Sequence, residues 1–220
     1  MQLESFVMSD DEFIRFAAKH RIFAVLGSHS AESALRAAEA AIVGGIRMLE
    51  VTLRTPGSFR VISELQHRFG DRVFVGAGSV TSLEQIDRAV KSGATFISMP
   101  NTSASLVEAC RRHRVASIVG ALTPTEVATA WSMGVPLVSL FPTSSMGGPP
   151  YLGALAARLG GVRLVASGGV SSENIAEYFT AGAFAIAVGS RLFTRGDLQN
   201  ENYAAIAERA RGMIRLAGAG

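Results

Sequence analysis

Eight short apolar runs recur along the chain, and each is followed by a longer segment with a different pattern of polar positions. Each run is nearly continuously apolar, which is typical of parallel strands whose outer face is covered by helices. The predicted strands span residues 23–27, 47–53, 73–78, 96–100, 116–121, 137–142, 163–168 and 185–189.

The segments between these runs carry apolar residues at three- and four-residue spacing, which predicts amphipathic helices. Residues that favour helix starts precede several of them, namely Ser30, Ser82, Ser103, Thr123 and Ser171, and many segments end in glycine. We also expect an extra N-terminal helix over 9–19, placed to close the bottom of the fold. The other predicted helices span 31–43, 57–69, 83–92, 104–114, 124–133, 151–159, 172–181 and 202–217.

Eight strand–helix units with short connections favour a closed (β/α)8 TIM barrel with an extra N-terminal helix. The alternative is an open doubly wound sheet, which usually has a GxGxxG turn after its first strand. Here that turn reads Gly-Ser-His-Ser over 27–30. A chain of 220 residues with 48% hydrophobic content suffices for one barrel, so we predict a single TIM-barrel domain over 1–220.

The composition excludes several classes of binding partner and of structural framework. The net charge of +3 comes from scattered arginines without a basic face interleaved with aromatics, so we expect no nucleic-acid partner. No apolar run approaches the roughly 20 residues that span a bilayer, and the acidic N-terminus does not resemble a signal peptide, so we expect a cytoplasmic protein without membrane contact. The single cysteine, Cys110, excludes a disulfide framework.

Glu50 is the one carboxylate inside the eight apolar runs. Because side chains alternate along a strand, Glu50, Thr52 and Arg54 share one face. Polar groups inside a barrel are costly unless they are paired or used. Two interpretations are open. Glu50 and Arg54 could form an ion pair that supports the barrel mouth, or Glu50 could transfer protons at a raised pKa while Arg54 binds a carboxylate.

Two glycine turns follow the seventh and eighth predicted strands. The first contains Gly168 and Gly169, and the second contains Gly189 and Ser190. Glycine lets the backbone approach a ligand closely, and barrels commonly bind phosphate at these two loops. The turns therefore predict a phosphate site, although glycines that only make tight turns would give the same pattern.

With these residues in view, the sequence resembles the Schiff-base aldolases that cleave 2-keto-3-deoxy-6-phosphogluconate (KDPG) and 4-hydroxy-2-oxoglutarate. The similarity is densest over 44–55, 75–80, 141–142, 147–148, 167–171 and 188–190, and the string Leu-Glu-Val-Thr-Leu-Arg-Thr over 49–55 is highly specific. The resemblance implies a homotrimeric lyase of carbohydrate metabolism that binds a small anionic substrate, a phosphorylated 2-keto acid, without a cofactor.

The resemblance also implies roles for individual residues. Glu50 matches the catalytic acid that shuttles protons. The substrate carboxylate is then held by Arg54, Thr52 and Ser79, and the phosphate by Gly168, Gly169, Gly189 and Ser190.

One departure from the family concerns its imine-forming lysine. Ser139 stands at that position, and a hydroxyl cannot give the cationic electron sink of an imine. The only lysines, Lys19 and Lys91, end predicted helices, which places them at the bottom of a barrel. A metal could replace the imine, but candidate ligands are sparse, with His29 the only histidine near the mouth, and we predict no metal site.

Three functions stay open on these grounds. The first is an aldolase-type lyase with an altered mechanism. The second is a proton-transfer enzyme, an isomerase or decarboxylase, that acts on a phosphorylated acid. The third is a catalytically inactive protein that binds phosphosugar acids.

Overall fold

A computed structural model describes residues 9–218. Its eight strands are all parallel and form a closed barrel in chain order, with the last strand pairing with the first. The strands are β1 (Ile22–Leu26), β2 (Met48–Thr52), β3 (Phe74–Gly78), β4 (Phe96–Met99), β5 (Ala116–Ala121), β6 (Leu137–Leu140), β7 (Leu164–Ser167) and β8 (Ala185–Val188). The predicted TIM barrel is confirmed, and the open sheet is excluded.

Helices alternate with the strands and cover the barrel, and no helix within residues 9–218 is long and apolar enough to cross a membrane. They are α1 (Asp10–His20), α2 (Ala31–Val43), α3 (Ser58–Phe69), α4 (Leu83–Lys91), α5 (Ala104–His113), α6 (Pro124–Ser132), α7 (Pro149–Arg158), α8 (Ile175–Thr180), α9 (Arg195–Gln199) and α10 (Tyr203–Ala217). Short 3-10 turns span Gly70–Arg72 and Ser144–Met146.

Capping explains where several helices begin. Ser30, Ser82 and Thr123 each accept a hydrogen bond from the backbone N–H three residues on, as predicted. Ser171 does not cap α8, so that prediction is wrong. Its own N–H donates to Asn174 Oδ1 at 2.9 Å, and this turn delays the helix start to Ile175.

Aromatic rings fill the lower half of the barrel, at the amino ends of the strands. Phe13 of α1 packs against Phe96 with ring centroids 5.6 Å apart, and Phe16 stacks on Phe74 at 3.7 Å. Phe23 and Phe96 meet edge to face at 5.6 Å. As expected, α1 closes the bottom, so the barrel can open only at the carboxyl ends of its strands.

Small side chains take over in the upper half. The register places Glu50 beside Gly76 and Thr52 beside Gly78, and it places Ser139 beside Gly120. Because glycine and serine fill far less space than phenylalanine, the interior that is solid below becomes a cavity above.

Candidate functional site

A cavity of about 590 Å³ lies inside the barrel at the carboxyl ends of the strands. Its walls come from all eight strands or the residues that follow them. They include Val25, Glu50, Thr52, Arg54, Ser79, Ser98, Pro100, Gly120, Ser139, Phe141, Ser167 and Ala187. The cavity is large enough for a small organic acid, and its position is the usual active-site position of this fold.

Glu50 projects into this cavity from the middle of β2 and is only 8% exposed. Glycine at position 78 makes that placement possible, because a Cβ atom there would overlap the Glu50 carboxyl group. Gly78 lies on the neighbouring strand β3, two residues beyond Gly76, which is the register partner of Glu50. The orientation of the acid is therefore set by two strands rather than by β2 alone.

Burial raises the pKa of Glu50 to about 7, and the Ser98 hydroxyl, which hydrogen-bonds to the carboxylate, acts in the opposite direction. Within residues 9–218, Glu50 forms no ion pair with Arg54 or any other cation. A carboxyl group that changes protonation near neutral pH can both accept and return a proton. The arrangement suits proton transfer better than structural support.

Arg54 lies beyond the end of β2, because the strand ends at Thr52 and not at residue 53 as predicted. Its exposed guanidinium lines the inner cavity and two adjoining cavities at the mouth. Thr52 is buried below it, and its hydroxyl lies 3.5 Å from that of Thr55. Arg54 is therefore the cation that an anionic ligand in any of the three spaces can reach.

Serine side chains line the wall of the cavity that contains position 139, where the resemblance leads us to expect a lysine. Ser139 of β6 faces the cavity, as do Ser98 of β4 and Ser167 of β7. Lys19 and Lys91 are exposed at the ends of α1 and α4, and neither lines the cavity. Among residues 9–218, no lysine lines this cavity.

The glycine turns line a second space of about 350 Å³, which shares Arg54, Phe141 and Ser167 with the first. Gly168 and Gly169 both adopt positive φ, at 84° and 81°. Such angles favour glycine, and they turn the backbone toward the cavity. Gly189 and Ser190, which follow the adjacent strand β8, line the same space, so the structure brings together all four residues that the sequence predicts for phosphate.

The loop after β6 holds the first glycine turn in place. The Thr143 N–H donates to the Ser167 carbonyl at 2.8 Å, and the Ser144 N–H donates to the Gly168 carbonyl at 3.2 Å. The fully buried Thr143 hydroxyl also accepts from the Ser167 N–H and donates to the Leu140 carbonyl. These bonds occupy the Ser167 and Gly168 carbonyls. The Gly168 and Gly169 N–H groups have no acceptor within residues 9–218.

Ser79 completes the inner cavity, where it follows β3 in a left-handed conformation with φ of 61°. His29 lies outside this cavity and lines a separate groove at the mouth. No cluster of three or more metal-ligating side chains occurs in the part of the chain that the structure describes.

Three contributors to the site do not follow from the sequence pattern alone. Gly78 acts on Glu50 from the neighbouring strand β3 and Ser98 from β4, the strand beyond it, so their importance depends on register. Arg195 reaches the mouth from α9, a short helix that hydrophobic periodicity does not predict. A signal for α9 was present, because Thr194 and Asp197 have capping spacing and the Asp197 N–H donates to the Thr194 hydroxyl.

Together these features define a (β/α)8 barrel with a buried acid of raised pKa in its interior and two glycine turns that line an adjoining cavity. Known proteins match this description. A family model, "KDPG and KHG aldolase", matches residues 14–209. The 2-dehydro-3-deoxy-phosphogluconate aldolase of Treponema pallidum is 36% identical over 158 residues, which cover 72% of this chain and 75% of the relative.

Two further matches agree. The 2-dehydro-3-deoxy-6-phosphogalactonate aldolase of Escherichia coli is 30% identical, over 83% of this chain and 89% of the relative. The structure of KDPG aldolase from Legionella pneumophila, with pyruvate captured as a covalent carbinolamine, superposes with a TM-score of 0.84 at 28% identity, covering 94% of this chain and 98% of that one. The chain therefore belongs to the KDPG and KHG aldolase family.

Proposed function

We propose that the protein is a lyase that cleaves a small phosphorylated 2-keto acid by a retro-aldol reaction without an enzyme-bound imine. The observation that carries this proposal is Glu50, a buried carboxyl group with a pKa of about 7 that faces a cavity next to Arg54. Family membership supports the substrate class, since the relatives are named as aldolases of phosphorylated 2-keto-3-deoxy acids.

The substrate binds through its two charged ends. Arg54 holds the carboxylate, and the hydroxyls of Thr52 and Ser79 lie on the same cavity. The phosphate binds between the two glycine turns, where N–H groups at positions 168 and 169 have no acceptor in the described chain. The reacting carbons then lie between these ends, beside Glu50.

Glu50 supplies both proton transfers. As a carboxylate, Glu50 removes the proton from the C4 hydroxyl, and the C3–C4 bond breaks. The electron pair of that bond forms the C2–C3 double bond, and the negative charge moves onto the C2 carbonyl oxygen. This step releases an aldehyde and leaves the enolate of pyruvate. The protonated Glu50 then donates to C3, which gives pyruvate and restores the carboxylate.

The enolate replaces the family's imine as the place where negative charge collects. Arg54 and the hydroxyls of Ser98 and Ser139 line the space where it forms. Hydrogen bonds from such donors stabilise a developing oxyanion, and removal of one donor slows such reactions about 10²–10³-fold. They stabilise less charge than a cationic imine does, so we expect a slower reaction than that of a lysine-bearing relative.

A cleavage assay tests the proposal. KDPG is mixed with the wild type, and pyruvate is measured with a coupled dehydrogenase, with and without a chelator. We expect the wild type to form pyruvate at the same rate with and without the chelator. The Glu50→Gln substitution should reduce this rate at least 100-fold, and the Ser139→Lys substitution should raise it. Borohydride with pyruvate should add mass to Ser139→Lys but not to the wild type. A wild-type protein that forms this adduct, or that cleaves none of a series of phosphorylated 2-keto acids, would contradict the proposal.

A second candidate is a proton-transfer enzyme that breaks no carbon–carbon bond by retro-aldol chemistry, such as an isomerase. It is favoured by the same carboxyl group in a cavity without an amine. Incubation of pyruvate in D₂O separates the two. Deuterium at C3 that depends on Glu50, without cleavage of any 2-keto acid tested, supports the second candidate. Absence of both exchange and cleavage supports binding alone.

A further inference from the structure

A third space at the barrel mouth, the α9 groove, shares Thr52, Arg54 and Ser190 with the site above, but the proposed reaction places no part of the substrate in it. It encloses about 720 Å³ between the loop after β1, the loop after β2 and helix α9. We define it by its lining residues Gly27, Ser28, His29, Thr52, Arg54, Thr55, Ser190, Phe193, Arg195, Leu198 and Gln199.

Positive and hydrogen-bond-donating groups dominate this groove. Arg54 and Arg195 line it together with the His29 imidazole, and no carboxylate does. Within residues 9–218, neither arginine forms an ion pair. The acid on α9, Asp197, lies outside the lining and binds the Arg209 guanidinium at 2.8 Å. The charges therefore favour an anion.

A buried hydroxyl on the groove wall lacks a partner. Ser28 Oγ is inaccessible to solvent and makes no hydrogen bond in the described chain, although the Ser28 backbone N–H donates to Thr55 Oγ1 at 3.2 Å. An unsatisfied buried hydroxyl costs about 1–3 kcal/mol, and rotation of the Ser28 side chain toward an acceptor oxygen bound in the groove would remove that cost.

The groove is separate from the space at the glycine turns but adjoins it. The two share Arg54, Ser190 and Phe193. Arg191 lines only the glycine-turn space and Arg195 only the groove. Each space therefore has an arginine of its own, and Arg54 stands between them.

From these observations we propose that the α9 groove is a second phosphoryl-binding site, in which Arg195, Arg54 and the Ser28 hydroxyl bind a phosphoryl group beside the one at the glycine turns. One guanidinium group can donate two parallel hydrogen bonds to two oxygens of a phosphate, whereas a lysine ammonium group acts as a point charge. Arginine therefore suits this role better than lysine. The ligand of this site is the second phosphoryl group of a bisphosphorylated sugar acid or a free phosphate.

Equilibrium dialysis with radiolabelled inorganic phosphate, at low ionic strength, tests the site without any turnover. We expect two phosphates per wild-type chain. Arg195→Gln and Arg191→Gln should each retain one, and Arg158→Gln should retain both, because Arg158 is an exposed arginine at the far end of α7 that lines neither space. One phosphate per wild-type chain, or two per Arg195→Gln chain, would overturn the proposal. Because the readout is binding, a failure of the lyase assay does not affect it.

Calorimetry with two commercial probes then identifies the source of the phosphoryl group. Fructose 1,6-bisphosphate should bind at least tenfold more tightly than fructose 6-phosphate if one ligand fills both spaces, and Arg195→Gln should abolish that preference. Equal affinities, combined with two inorganic phosphates per chain, assign the groove to a separate phosphate. Equal affinities with a single phosphate per chain overturn the site altogether.

Discussion

The lower and upper halves of the barrel interior are formed by the same strands but differ in the size of their side chains. Below, the rings of Phe13, Phe23, Phe74 and Phe96 pack against one another and fill the space. Above, glycines and serines leave about 590 Å³ open around one buried acid. The contrast shows that stability and chemistry are separated along each strand of this fold. A side chain near the amino end of a strand packs in the core, whereas one two residues further on lines the candidate site.

Phe96→Ala should have the largest effect on stability. The ring is fully buried against Phe13 and Phe23, and its loss leaves a cavity that the closed barrel cannot collapse to fill. We expect the free energy of unfolding to fall by about 3–5 kcal/mol in urea titrations. Phe141→Ala is the matched control, because Phe141 is 58% exposed at the mouth and should cost less than about 1 kcal/mol. Equal losses in the two variants would break the comparison.

The Glu50 carboxyl group should make stability depend on pH. In the folded protein it keeps its proton until about pH 7, whereas in the unfolded chain it ionises near its ordinary pKa of 4.5. Between these values the folded state binds more protons, so stability falls as pH rises through this window. Relative to Glu50→Gln, we expect the wild type to lose about 3 kcal/mol between pH 4 and pH 8, measured by urea unfolding. Parallel pH profiles for the two proteins would contradict the burial of a titrating acid.

Gly78→Ala should disturb the upper half without touching the lower. The added methyl group overlaps the Glu50 carboxyl group, which must move inside a packed cavity. We expect a loss of about 1–3 kcal/mol in unfolding free energy and a shift in the pH dependence described above. Gly212→Ala on α10, where nothing lies within 4 Å of the new methyl, should instead be neutral or stabilising. A stable Gly78→Ala protein with the wild-type pH profile would show that Gly78 does not position the acid.

Much of this architecture could be predicted from the sequence, because the signals are local. Continuous apolar runs locate all eight strands to within a few residues, and Ser30 and Thr123 locate helix starts. The errors occur where side chains compete for the backbone. Asn174 takes the N–H of Ser171 and delays α8, and α9 is too short to have an apolar period of its own.

The candidate site could be predicted only in part. Glu50 stands out because a lone carboxylate in an apolar strand is anomalous, and Ser139 stands out against the family's lysine. Gly78 and Ser98 act on Glu50 across strands, and such contacts depend on a register that no single segment encodes. The same holds for Arg195, whose place at the mouth depends on how the chain returns after β8.

Ser139→Ala should have the smallest effect on stability and is the finest test of the comparison. Ser139 is half-buried, faces the open cavity and makes no side-chain hydrogen bond in residues 9–218, so we expect a change within about 0.5 kcal/mol. Leu137 is the matched control, because it lies two residues lower on the same face of β6 and is fully buried, and Leu137→Ala should cost about 2–5 kcal/mol. If a 2-keto acid is cleaved, Ser139→Ala should also slow turnover about 100-fold, because the enolate loses one hydroxyl donor, while Ser139→Thr should retain most of the rate. An unchanged rate in Ser139→Ala would remove this serine from the mechanism and leave Arg54 and Ser98 to stabilise the enolate.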